Sequence, residues 1–163
     1  MKRNFLNILV LVSLLFGVIG IINVSGSQVF AQAAKKDADL VAQINNKAGA
    51  FAGNATAFKN MIEGLDEKTI MKSQDKLISL IESILDNNKE LQEITKKAAS
   101  DISDPDKKKF YMRDILPNLH NINRQLMRIK VSIEKNDINY SNVKDQAERT
   151  EECIKQVVDR LKG

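Results

Sequence analysis

Apolar residues at Ile115, Leu119, Ile122, Leu126, Ile129 and Ile133 recur at steps of four and three, the spacing that places side chains on one face of an α-helix. Three further stretches carry the same period. From residue 36 to about 64 the pattern runs through Leu40, Ile44, Ala48, Phe51, Ala55, Phe58, Ile62 and Leu65. From about 67 to 99 it runs through Ile70, Leu77, Ile81, Ile84, Leu91 and Ile94, with Ile78, Leu80 and Leu85 widening the stripe. The last stretch places Val143, Ala147, Thr150, Ile154, Val157 and Leu161 on one face.

The breaks between the stretches are short and carry turn chemistry. Gly64, Leu65 and Asp66 make the first turn, and residues 100–104 make the second. Asp104 followed by Pro105 is a helix N-cap with proline at the first helical position. Pro117 lies inside the third stretch, where it removes one hydrogen bond and predicts a kink near Arg113 and Asp114. Residues 136–140 make the last connection, with Ser141 as the expected N-cap. Helices of about 30 residues are some 45 Å long, and such short links cannot carry the chain back along them, so neighbours run antiparallel. The fold class is all-α, an antiparallel up-down-up-down four-helix bundle.

A different pattern precedes the bundle. Lys2 and Arg3 stand before an apolar run over residues 5–24, and Val29, Phe30, Ala31, Gln32 and Ala33 follow, where Val-Phe-Ala and Ala-Gln-Ala have the spacing a signal peptidase reads. This reads as a signal peptide over residues 1–33, cleaved after Ala31 or Ala33, with the bundle over 34–163 and a periplasmic or secreted product. The competing reading is a retained anchor, since twenty residues span about 30 Å of hydrocarbon. Only that reading brings a membrane into the picture. No cysteine follows the apolar run to bear a lipid.

Composition agrees with helices: aromatics are 5% with no Trp, and charged residues are 28%. The net charge is +4, from 25 basic and 21 acidic residues, but Lys2 and Arg3 belong to the leader, which leaves 23 against 21. Basic and acidic residues alternate, and the one dense run, Lys107, Lys108 and Lys109, has no stacking aromatics interleaved with it. Nucleic acid is therefore not an expected partner.

Candidate chemistry is sparse. A single histidine, His120, and a single cysteine, Cys153, cannot build a di-metal carboxylate site or a zinc site of the Cys and His type. No phosphate-binding glycine loop or nucleophile elbow occurs, so the chain is not expected to be an enzyme. Gly49 and Gly53 interrupt the first helix at a cost of about 1 kcal/mol each relative to Ala. Two explanations offset that cost: a neighbouring helix packing close, or room for a ligand. Cys153 reads as a small buried hydrophobe, as a dimer-forming disulfide partner or as a ligating thiol, and His120 lies one residue off the third seam. Counted from the helix ends, His120, Gly49, Gly53 and Cys153 fall within about 6 Å of one level and define a candidate cofactor pocket at mid-bundle.

Residues 136–162 (NDINYSNVKDQAERTEECIKQVVDRLK), at the end of this long-helix plan and behind a secretory leader, resemble the last connection and last helix of the cytochrome c′ and cytochrome b562 type of four-helix bundle. The resemblance implies an extracytoplasmic bundle whose final helix carries a haem ligand. With Cys153 on the first cysteine of Cys-x-x-Cys-His, however, Gln156 stands at the second and Val157 at the histidine. The last helix contains no His at all, so the resemblance does not extend to covalent haem.

The function expected from these residues is that of an exported, non-catalytic helical bundle, a binding or assembly module for a protein partner or a second copy, without a cofactor. The alternative is a bundle holding a small molecule or non-covalent haem. The seam itself gives a prediction. Ile122→Asp or Leu126→Asp buries an unpaired carboxylate at a cost of several kcal/mol and should abolish the helical circular dichroism signal. Lys96→Ala or Glu93→Ala should shift stability by less than about 0.5 kcal/mol.

Overall fold

In a computed structural model the backbone is described for residues 2–135 and 139–162, and the side chains of residues 2–31, 33 and 67 lie outside the description. The chain divides into residues 1–38 and 39–163. Among the described residues there is helix and no strand. Helix α1 covers Lys2–Glu63, α2 Glu67–Ile70, α3 Gln74–Asp101, α4 Pro105–Phe110, α5 Leu116–Glu134 and α6 Tyr140–Lys162. The fold of residues 39–163 is an all-α four-helix bundle: α1 from residue 39 onward, α2 with α3, α4 with α5, and α6 supply its four rods.

The first helix does not begin at Lys36, as the change of pattern suggested, because α1 is helical from Lys2. No proline lies between residues 25 and 40, and the alanine-rich stretch over 31–38 favours helix. The signal-peptide boundary and its cleavage after Ala31 or Ala33 fall on residues whose side chains lie outside the description. Among the residues whose side chains are described, no helix is long and apolar enough to cross a membrane.

Cross-helix contacts fix the directions. Moving seven residues forward on α1, from Lys47 to Asn54, moves the α3 partner seven back, from Glu90 to Ser83. Moving fourteen forward from Gln74 to Asn88 moves the carbonyl partner fourteen back, from Ile133 to Leu119. Both pairs of rods are therefore antiparallel. Contacts of Thr56 with Glu151 join α1 to α6, and contacts of α5 with α6 close the ring.

The core is what the periodicity described. Phe51, Phe58, Ile81, Ile84, Leu91, Leu119 and Leu126 are fully buried, and one cluster runs from Leu40 to Leu161. Burying an aliphatic or aromatic side chain of this size contributes about 1.5 to 3 kcal/mol each, so a seam this long dominates the stability. Ile94, Ile78, Leu80 and Leu85 are half-buried at its margin.

Local signals set the ends. Asp66 caps α2: its carboxylate accepts from the amides of Lys68 and Thr69, while the Thr69 hydroxyl accepts from the Asp66 amide at 2.9 Å. The Asp104 carboxylate accepts from the amides of Asp106 and Lys107 ahead of Pro105. The last cap is not Ser141. Helix α6 starts one residue earlier, and Asn139 Oδ1 accepts from the Asn142 amide at 3.1 Å, because a carboxamide at that position reaches the third helical amide. The Tyr140 hydroxyl then donates to the Leu65 carbonyl at 2.6 Å, tying the last connection to the first turn.

The irregularity from Pro117 falls where the sequence places it. Tyr111–Ile115 is a turn of π-helix in which the Leu116 amide donates to the Tyr111 carbonyl, five residues back. Proline cannot donate to the Arg113 carbonyl and crowds it, and a wider turn relieves that crowding.

One buried charge crosses the bundle. Glu151 is 3% exposed and accepts from the Thr56 hydroxyl at 3.0 Å, with Lys155 at 2.6 Å and Lys59 at 3.8 Å. Burial pushes its carboxyl upward, but Lys155, Thr56 and Lys59 together outweigh burial and hold it below the usual glutamate value of 4.5. A depressed carboxylate contributes stability that is present above that usual value and is lost as pH falls through the folded one. Glu151→Gln should therefore lower stability by about 1 kcal/mol at pH 7. The difference from the wild type should shrink toward pH 3 in denaturant titrations.

Candidate functional site

Three of the four grooves between neighbouring helices are bridged by lysine–carboxylate pairs. Lys47 pairs with Glu90 across α1 and α3, where Asn54 also donates to Ser83 at 2.9 Å. Lys130 pairs with Glu82 at 2.7 Å across α3 and α5, and Lys59 with Glu151 across α1 and α6. The groove between α5 and α6 is different. The only cross-helix hydrogen bond between their side chains among the described residues is a long one, 3.4 Å, from the Thr150 hydroxyl to Gln125 Oε1.

This groove is built from two helical faces set just outside the seam. On α5, Asn118, Asn121, Gln125 and Arg128 follow one another at steps of three and four, the spacing that stacks side chains along one edge of a helix. On α6, Gln146, Arg149, Cys153, Gln156 and Arg160 do the same. Two cavities open along it. One of about 220 Å³ is lined by Gln125, Arg128, Gln146, Arg149 and Thr150. The next, about 50 Å³, is lined by Asn118, Asn121, Ile122, Cys153, Gln156, Val157 and Arg160. Neither lining includes a carboxylate.

The electrostatics follow from that composition. Arg128, Arg149 and Arg160 are exposed and make no ion pair among the described residues. Thr150 is buried and its one hydroxyl hydrogen is nearer the Gln146 carbonyl of its own helix, at 2.7 Å, than Gln125 Oε1 across the groove. The Gln146 amide nitrogen donates to Asn142 Oδ1 at 2.8 Å, so its side-chain oxygen is left for the groove. The groove thus presents guanidinium forks and carboxamides, which bind anions and peptide groups, beside the single thiol of Cys153.

Of the residues singled out by sequence, Cys153 lies here, half-buried and unpaired. His120 is exposed on α5 and lines neither cavity. Gly49 and Gly53 are exposed, and a Cβ built at either would meet nothing within 4 Å. They neither admit a neighbouring helix nor border an inner space, since the residues of α1 that face the core are Ala48, Phe51 and Ala55. His120, Gly49 and Gly53 are exposed and Cys153 is half-buried in the α5–α6 groove, so the four do not line one inner space.

A second basic surface lies at the end of the bundle, where Lys96, Lys108, Lys109 and Arg113 surround the exposed Met112. It is open, and Asp104, Asp106 and Asp114 stand in the same segment. The groove residues were missed from sequence because each is an ordinary solvated residue by itself. The available signal was their type: every arginine after Arg3 lies between residues 113 and 160, while lysines are spread over the whole chain.

The open surroundings of the glycines generate a prediction. Gly49→Ala and Gly53→Ala should each raise stability by about 0.5 to 1 kcal/mol through helix propensity alone, read as an additive rise in melting temperature. The chain matches no family model, no curated protein and no solved structure.

Proposed function

We propose that the protein is an exported, non-catalytic bundle that holds a protein partner in the groove between α5 and α6. Export rests on the leader, with its two basic residues, apolar run and small-residue exit. The observation that carries the binding role is the contrast among grooves: three are bridged by lysine–carboxylate pairs, and the fourth keeps three arginines unpaired beside five carboxamides. Arginine is the side chain suited to such recognition, because its planar fork loses little freedom per hydrogen bond formed and meets a carboxylate with two parallel bonds.

The partner is a different chain in this reading. A two-fold dimer through this groove would set arginine against arginine, since such an interface presents the same patch twice. The haem or small-molecule alternative of the cytochrome c′ and b562 type has no comparable support. It needs the bundle centre, where the side chains of Phe51, Phe58 and Leu119 are fully buried, and it needs His120, which is exposed.

A photo-crosslinking residue placed at Gln156, in the groove, and separately at Glu93, exposed on α3, tests the reading in cells that make the protein. The expected result is a protein adduct of discrete mass from the Gln156 site, lost when Arg149 and Arg160 are replaced by Gln, and no such adduct from Glu93. Equal adducts from both sites, or none from the groove, would overturn it.

A further inference from the structure

We propose that the segment held in the α5–α6 groove is an extended, carboxylate-rich stretch of the partner, about five or six residues long, whose acidic side chains pair with Arg128, Arg149 and Arg160. The inference rests on the groove being the docking surface and adds the chemistry of what docks. Charge complementarity carries it: three guanidinium groups line one groove, none has an ion-pair partner among the described residues, and no carboxylate lines either cavity. In the other three grooves the cross-helix ion pairs among the described residues are lysines on glutamates.

Geometry sets the length. Arg149 and Arg160 are eleven residues apart on α6, which at 1.5 Å per residue is about 16 Å. An extended chain advances about 3.3 Å per residue, so five or six residues cover the distance between the two guanidinium anchors. The amides decide the conformation. A docked helix needs a row of apolar anchors to sink into a hydrophobic floor, and the apolar residues lining this groove, Ile122 and Val157, are themselves buried at 1% and 3% exposure. An extended segment instead offers free backbone N–H and C=O groups. Asn121 and Gln156 each carry both a donor and an acceptor to meet them, Asn118 and Gln146 keep their side-chain oxygens for the purpose, and Gln125 keeps its amide nitrogen.

The same lining argues against other anions. Single-stranded nucleic acid gains much of its binding from stacking on aromatic rings, and no aromatic residue lines either cavity. A small phosphate or a polyphosphate would use the arginines but leave the five carboxamides without peptide groups to bind.

A fluorescein-labelled hexaglutamate peptide, titrated with the full-length protein and followed by fluorescence anisotropy, is the test. Arg128→Gln with Arg149→Gln removes two groove charges, and Lys108→Gln with Lys109→Gln removes two from the other basic surface. The expected result is saturable binding that the groove variant weakens at least about tenfold and the lysine variant less than about threefold, with labelled hexaglutamine showing no binding. All four side chains are outside the core, so unchanged circular dichroism is expected to accompany the loss. An equal loss in both variants would reduce the effect to diffuse attraction and overturn the proposal. Competition by inorganic tripolyphosphate at or below the hexaglutamate concentration would assign the groove to phosphate instead and also overturn it. If hexaglutamate fails to bind while the Gln156 crosslink persists, the acidic-segment proposal falls and the docking reading stands; if both fail, the docking reading falls with it.

Discussion

The four helices share one apolar seam, and the folding of residues 39–163 depends on keeping it shut. No helix of this bundle could bury its stripe alone, because a stripe over a hundred degrees wide needs a neighbour on each side. The four rods satisfy one another in an antiparallel ring, and the layers of Phe51, Ile81, Leu119 and Ile154 leave those side chains no exposed surface. Hydrophobic burial is non-directional, however, and a heptad-like seam slides from one register to another at little cost. What pins this one is polar.

Asn88 lies fully buried in the α3 stripe and donates to the Leu119 carbonyl of α5 at 3.0 Å. Gln74 reaches the Ile133 carbonyl at the other end of the same pair. Glu151 does the equivalent between α6 and α1 through Thr56 and Lys59. A slip by one turn would leave Asn88 and Glu151 buried without their partners, at about 1 to 3 kcal/mol for the neutral group and more for the charge. These contacts add little to stability in the native register and a great deal to the cost of any other. Asn88 Oδ1 and Thr95 Oγ1 nevertheless have no partner, so the α3 stripe keeps unsatisfied polar atoms in its interior.

Much of this was legible in the sequence, and the limits of legibility have physical causes. The inward residues of all four rods follow from the helical period, and the Pro117 disturbance from the missing amide. Asn88, Thr95 and Glu151 were not legible as core residues, because a polar side chain is buried only where a partner on another helix receives it, and that partner is invisible along one strand of text. The mid-bundle pocket failed for a different reason. Counting residues from a helix end fixes height at 1.5 Å per step, but each step also turns the side chain by about 100°. Gly49 follows the inward Ala48 by one step, and His120 follows the inward Leu119 by one. Equal height placed them on one level and said nothing of the face, while the seam that assigned Ala48 and Leu119 inward already turned their successors away.

The α5–α6 groove shows what residue type adds to residue position. Lysine and arginine carry the same charge, and a net charge or a heptad pattern does not separate them. Here the chain divides them: the lysines Lys47, Lys59 and Lys130 close the grooves of the bundle against glutamates, and Arg128, Arg149 and Arg160 line the groove that stays open. A lysine bridge is a point-charge contact that tolerates a range of geometries, which suits the joining of two rods whose spacing is already set by the core. An arginine fork is planar and pre-organised, so it loses less freedom than lysine for each hydrogen bond it makes to a planar anion. Three such forks held along one groove of a closed, core-filled bundle are the part of this molecule that its own folding does not use.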